Sequence, residues 1–251
     1  MYQFFVSPEQ IQGTKAYITG SDFNHIKNVL RMKIGEEIAL SNGVDQKEYR
    51  VGIVAYTEDT VECELRFIKE DGMELPAEIY LFQGLPKGDK MELIIQKAVE
   101  LGVHEIIPVS MNRCVVRLDE KKASSKLKRW QTIAEAAAKQ SKRGIIPKIH
   151  EVLSFEQALS YADDMQVKML PYELANGMEE TKQVISSIRP GDKVAVWIGP
   201  EGGFDKQEVS KASDCGFRPI SLGKRILRTE TAGMTVLSIL MYHMETDQEF
   251  V

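Results

Sequence analysis

Cysteine is scarce: Cys63, Cys114 and Cys215 are three in 251 residues, odd in number and far apart. With no CxxC pair, neither a zinc ribbon nor a secreted disulfide framework is expected. The four histidines, His25, His104, His150 and His243, are as dispersed and lack metal-ligand spacing, so no metal is expected. No apolar run approaches the roughly 20 residues that span a bilayer, and VAVWI (194–198) reads as a core strand. The opening MYQFFVSPEQ has no basic region and no long apolar stretch, so it does not read as a signal peptide. Together these absences lead to the expectation of a soluble, cytoplasmic protein with no membrane and no metal partner. Positive charge is not in excess either. With 32 basic and 37 acidic residues the balance is −5, against the basic character of a protein that coats nucleic acid indiscriminately.

The average hides a gradient. Residues 113–148 hold 11 Lys/Arg against Asp119, Glu120 and Glu135, a local balance of +8 that leaves −13 for the rest. Such asymmetry fits one docking surface for an anion on an otherwise repelling protein. Within it, Arg113, Arg117 and Arg143 are the better candidates for phosphate contacts, because arginine pairs bidentately. Lys128, Lys139 and Lys142 fall on the face of helix 124–141 opposite Leu127, Trp130, Ala134, Ala137 and Ser141, where lysines are ordinarily solvated and non-specific; Lys139 and Lys142 join the RNA candidates.

Residues 1–72 read mostly as strands, with a short helix over 22–30 capped by Ser21 or Asp22, and Asn42-Gly43 as a hairpin signal. Several short strands with one helix suggest a small barrel. From Gly72 the pattern changes to strands alternating with helices, which demands a parallel sheet covered on both faces. The expected fold is therefore α/β: a first domain over 1–72 and a second over 73–251, divided near Asp71-Gly72.

Parallel sheets bind ligands beyond the carboxyl ends of their strands, and two such loops stand out. Gly199-Pro200-Glu201-Gly202-Gly203-Phe204 follows VAVWI, and its three glycines let backbone approach a ligand closely, although a tight strand-to-helix turn needs the same residues. It is not GxGxxG, and no acidic residue ends a strand about 20 residues later, so a dinucleotide fingerprint is not supported. Leu222-Gly223-Lys224-Arg225-Ile226-Leu227-Arg228-Thr229-Glu230-Thr231-Ala232 follows RPISL. Capping accounts for Thr229 or Thr231 and for Glu230 in the first turn; it does not account for an apolar pair flanked by arginines, which suits a pocket holding a flat base beside an anion.

GPEGGF followed by LGKRILRTETA resembles the paired signature of the RsmE family, SPOUT-type enzymes that methylate N3 of a uridine in 16S ribosomal RNA. YQFFV, the segment His25 to Arg31 and Gly35 resemble the family's amino-terminal RNA-binding, PUA-like barrel, which adds Arg31 to the RNA candidates. LPKGDKMELIIQKAVELGV, Arg113, and Glu135 through Arg143 with Pro147 resemble its central motifs. The resemblance implies a SPOUT domain with a carboxyl-terminal trefoil knot, a homodimer, and S-adenosylmethionine held by Gly199, Pro200, Glu201, Gly202, Gly203, Leu222, Gly223, Ile226, Leu227 and Arg228. It makes the small ribosomal subunit and its 16S RNA the expected partner. The sulfonium brings its own activated methyl group, so the remaining difficulty is the proton on uridine N3. Arg228 is the first candidate for stabilising the charge that develops on the base, and Glu201 or Glu230 for accepting the proton. Two other readings stay open: a related knotted methyltransferase acting on transfer RNA, and an RNA-binding assembly factor without catalysis. The intact glycine loop and the Arg228/Glu230 pair argue against the last.

Overall fold

A computed structural model describes residues 1–246 apart from Asp71 and Asn176, and the elements below are those of the described residues. The chain forms two compact units, Met1–Glu74 with Ala138–Ile146, and Leu75–Ala137 with Pro147 onward. Asp71, at the expected division, lies outside the described residues.

The first unit is a six-stranded curled sheet. Its strands are β1 (Gln3–Phe5), β2 (Ile11–Gln12), β3 (Lys15–Thr19), β4 (Glu37–Ser41), β5 (Glu48–Tyr56) and β6 (Thr60–Lys69), in the order β1-β4-β5-β6-β3-β2. β1 and β2 remain edges, so the sheet is a half-barrel rather than a closed one. Alternating residues fill its concave side: Phe4, Ile18, Ile38, Leu40, Val51, Ile53 and Val61 are buried together with Ile26. The Asn42-Gly43 pair does connect two antiparallel strands, but Leu40 pairs with Tyr49, so the connection is longer than a two-residue turn. Asn42 shapes it by accepting from the Val44 and Asp45 amides while Gly43 takes φ +73°.

The helix expected over 22–30 starts earlier and changes pitch. α1 (Gly20–Asn24) runs into a π turn over His25–Val29, which Arg31 closes in the left-handed region at φ 53°. Thr19, not Ser21 or Asp22, occupies the cap position.

The second unit is a seven-stranded, all-parallel sheet. Its elements are β7 (Glu78–Gly84), α2 (Lys90–Glu100), β8 (Glu105–Ser110), α3 (Glu120–Ser141), β9 (Lys148–Ile149), β10 (Leu153–Ser154), α4 (Phe155–Tyr161), β11 (Val167–Pro171), α5 (Glu179–Ser186), β12 (Lys193–Ile198), α6 (Lys206–Asp214), β13 (Arg218–Ile220) and α7 (Thr229–Thr246). The strand order is β10-β8-β7-β12-β11-β13, with β9 on β8. The central strands read as unbroken apolar runs because both faces are covered: Ile79, Leu81, Phe82, Val194, Ala195, Val196 and Trp197 are all fully buried. α3 begins four residues before the expected Ser124, because Asp119 caps it: its carboxylate accepts from the Lys122 amide at 2.8 Å.

Candidate active site

The carboxyl ends of three neighbouring strands, β12, β11 and β13, and the first residue of α2 line one cleft of about 430 Å³. β12 delivers the glycine loop and β13 the basic loop, so two segments far apart in sequence become opposite walls. Gly199, Pro200, Glu201, Gly203, Leu222, Gly223, Ile226, Leu227 and Arg228 all line it. Gly202 does not; it turns toward Arg113, whose Nη1 donates to the Gly202 carbonyl at 3.0 Å. The start of α2 adds Lys90 and the end of β11 adds Tyr172 and Glu173, none of which the sequence reading had placed in the site. A strand-end rule would have found them had the strand order been known; the sequence does not state it.

The loops are fixed by buried polar groups. Thr229 Oγ1, at the first residue of α7, donates to the Gly199 carbonyl at 2.6 Å and accepts from Gln83 Nε2 at 2.9 Å. Gln83 Nε2 also donates to the Gly84 carbonyl, so one threonine joins the ends of β7 and β12 to the start of α7. Thr181 pins the other wall, donating to the Ser221 carbonyl at 2.8 Å and accepting from its amide at 3.1 Å. Behind the glycine loop, buried Glu208 accepts from the amides of Asn112 and Asp205, both at 2.8 Å. Two glycines are sterically required. A Cβ at Gly84 would stand 2.6 Å from Pro200 Cδ, and Gly203 closes the turn from Pro200 at φ +67°.

Charge in the cleft centres on Lys90. Its Nζ lies 3.0 Å from Glu201 Oε1 and 3.3 Å from Glu230 Oε2. Partial burial alone would raise the Glu201 carboxyl, but backbone hydrogen bonds, the Lys87 amide among them, and the Lys90 ammonium outweigh it and hold the group below its ordinary range. Glu230 shares that ammonium from a more buried position, its Oε2 standing 3.3 Å from Lys90 Nζ. Among the described residues no three His, Cys, Asp or Glu side chains group as a metal site.

The lining suits a flat, nucleoside-like ligand beside charges of both signs, since Lys90, Lys224, Arg225 and Arg228 stand in the cleft with Glu173 and Glu201. The volume falls within the roughly 300–1,000 Å³ of small-molecule sites. Ile198, Pro200, Tyr172 and Leu227 give flat apolar walls, and Glu173 and Glu201 place carboxylates beside them.

Residues 73–241 match the RNA methyltransferase domain family, and residues 18–65 match the RNA methyltransferase PUA domain family. The chain is 38% identical to ribosomal RNA small subunit methyltransferase E of Bacillus subtilis over 251 residues, 98% of each chain. The chain belongs to the ribosomal RNA small subunit methyltransferase E family. The protein of the same name from Mesomycoplasma hyopneumoniae is 34% identical over 95% of this chain and 98% of that one. The solved small subunit methyltransferase E of Neisseria gonorrhoeae, bound to S-adenosyl methionine, superposes with a TM-score of 0.79 at 32% identity, covering 96% of this chain and 97% of that one. The resemblance drawn from GPEGGF and LGKRILRTETA thus holds across the chain.

In this methyltransferase E chain the expected RNA residues separate. Arg113 and Arg117 are exposed in the second unit. In the first unit Arg31 is exposed, Lys142 is exposed with φ 62°, and Lys139 stands 3.8 Å from Asp22. Arg143 is a correction. It is 3% exposed, and its guanidinium grips the Glu74 carboxylate, with Nε donating at 3.2 and 3.1 Å. That carboxylate also accepts from the Ile145 amide. The arginine's planar fork matches a carboxylate as well as a phosphate, and here the carboxylate inside the fold has taken it.

Proposed function

We propose that this chain transfers the methyl group of S-adenosylmethionine to N3 of a uridine in the 16S ribosomal RNA of the small subunit, in the cytoplasm. The observation that carries the reading is the single cleft in which Thr229 ties the glycine loop to the basic loop, in a chain of this family. Gly199 to Gly203 with Leu222 to Arg228 would hold the cofactor, which when bound supplies a sulfonium methyl already activated for transfer. The protein's part is with the acceptor. Arg228 presents a guanidinium that can bond a uracil carbonyl and stabilise the negative charge that spreads over the base as N3 loses its proton. Glu230 is the better proton acceptor of the two carboxylates, because Glu201 is committed to Lys90 and the Lys87 amide and its depressed basicity makes it an anchor. The rigid loops orient base and methyl donor in line, an effect that can supply roughly 7–11 kcal/mol.

Residues 1–72 serve as the PUA-like RNA-binding domain and 73–251 as the SPOUT domain, with the crossing of the two cleft loops as its trefoil knot. Arg31, Lys139 and Lys142 in the first unit, and Arg113 and Arg117 in the second, are the RNA contacts of each unit taken by itself. The working form is a homodimer, supported by the apolar sequence of α7 and by Leu93, an exposed leucine on α2, which packs on α7. The test is label transfer from S-adenosylmethionine to small subunits lacking the modification, with total transfer RNA in parallel. Label in the subunit RNA is the expected result. Label in transfer RNA alone moves the substrate, and bound cofactor with no transfer anywhere removes the activity.

A further inference from the structure

A second pocket, of about 200 Å³, opens between the β7–α2 loop, residues 116–118 and α3. It adjoins the cleft along the chain: Asp89 lines the pocket and Lys90, the next residue, lines the cleft. Its interior is apolar, with Leu85, Met91 and Trp130 buried. The Trp130 indole N–H is buried and has no hydrogen-bond acceptor among the described residues. Lys126 lines the pocket together with Asp89, and two further cations flank the lining residues along the chain. Lys126 Nζ stands 5.8 Å from the centre of the indole. Arg117 lies exposed between the lining residues Val116 and Leu118, and Lys87 lies exposed between Pro86 and Gly88.

An inorganic anion has no use for an apolar slot, and an aliphatic side chain has no use for nearby cations. A flat ring joined to a phosphodiester uses both. The pocket is less than half the size of the cleft, room for one base rather than a second cofactor. Resting on the RNA methyltransferase reading above, we propose that this pocket takes one nucleobase of the substrate strand from outside the nucleotide being methylated, its phosphate lying against Lys126 and Arg117.

Trp130 lines this pocket, whereas the other tryptophan, Trp197, lies in β12 and lines neither this pocket nor the cleft. The experiment titrates the full chain with a uridine-rich hexaribonucleotide while following tryptophan emission, with Trp130→Phe as the control for the source of the signal. A saturable change that disappears in Trp130→Phe is expected. Val116→Phe, which fills the pocket, and Lys126→Glu, a substitution in its lining, should each raise the KM for RNA by roughly 5- to 150-fold, the range of one lost stacked base. Their S-adenosylmethionine affinity should stay at the wild-type value. Unchanged emission with RNA, or wild-type KM in both variants, overturns the subsite while leaving the methyltransferase reading intact. Tighter binding of an acidic, leucine-containing peptide than of the RNA at Trp130 also overturns it. A saturable Trp130 signal in a protein that transfers no methyl group supports the subsite and removes the activity.

Discussion

At Thr229 one hydroxyl, on a residue 5% exposed, serves three segments. The helix-cap reading treated this threonine as local; its partners at Gly199 and Gln83 lie 30 and 146 residues away. Thr229→Val keeps the shape and β-branching but abandons both bonds, so it should cost about 1–3 kcal/mol. Urea unfolding reads that loss, and a parallel fall in S-adenosylmethionine affinity should accompany it. Arg228→Ala should act on turnover instead, lowering kcat roughly 10²–10³-fold as loss of a charge-stabilising donor does, with little change in cofactor Kd. Equal losses in both would make Arg228 a binding residue. Glu201 gives a pH signature. Because its carboxyl is held below the ordinary value of 4.5, the charged form is favoured by folding. Its contribution is complete above 4.5 and is lost as pH falls through the lowered value. The melting-temperature gap between wild type and Glu201→Gln should therefore be constant near neutrality and close under acid. A gap that persists at pH 3 would contradict the ion pair with Lys90.

The carboxyl end of α3 shows where an element can be read from sequence and where it cannot. Its apolar positions were legible because Trp130, Ala134 and Ala137 recur at helical spacing, and all three are buried. Its start was missed, since Asp119 gives the same capping signal as any aspartate in a charged stretch. Its end is a Schellman turn: the Arg143 amide bonds the Ala138 carbonyl and the Lys142 amide bonds that of Lys139. Lys142 thus occupies the left-handed position that glycine ordinarily fills, and Lys142→Gly should stabilise the protein by about 1 kcal/mol in thermal unfolding. The next residue points inward. Nothing local distinguishes Arg143 from Lys142 or Arg129; its partner Glu74 is 69 residues earlier. Arg143→Ala leaves a carboxylate 7% exposed without its cation, so it should cost about 3–5 kcal/mol. It should also leave the salt dependence of RNA binding unchanged, whereas a lower slope would return Arg143 to the RNA surface.

For the whole molecule, alternation of strands and helices was enough to read a parallel sheet, and strand ends were enough to read two loops. What periodicity does not carry is strand order. Placing β12 between β7 and β11 brings Lys90, Tyr172 and Glu173 to the same cleft as the glycine loop. The charge gradient, by contrast, was plain from residue counting. If Z of its cations meet phosphates, RNA affinity should fall with salt at a slope of about −0.7Z to −0.9Z, and a flat response would remove this surface from RNA binding. The most direct test of the central claim is primer extension on small-subunit RNA after incubation with the protein and S-adenosylmethionine. Methylation at N3 blocks the pairing edge of uracil, so one new stop at a single uridine is predicted, absent with Arg228→Ala. Transferred label with no stop, or stops outside uridine, would contradict the assignment to uridine N3.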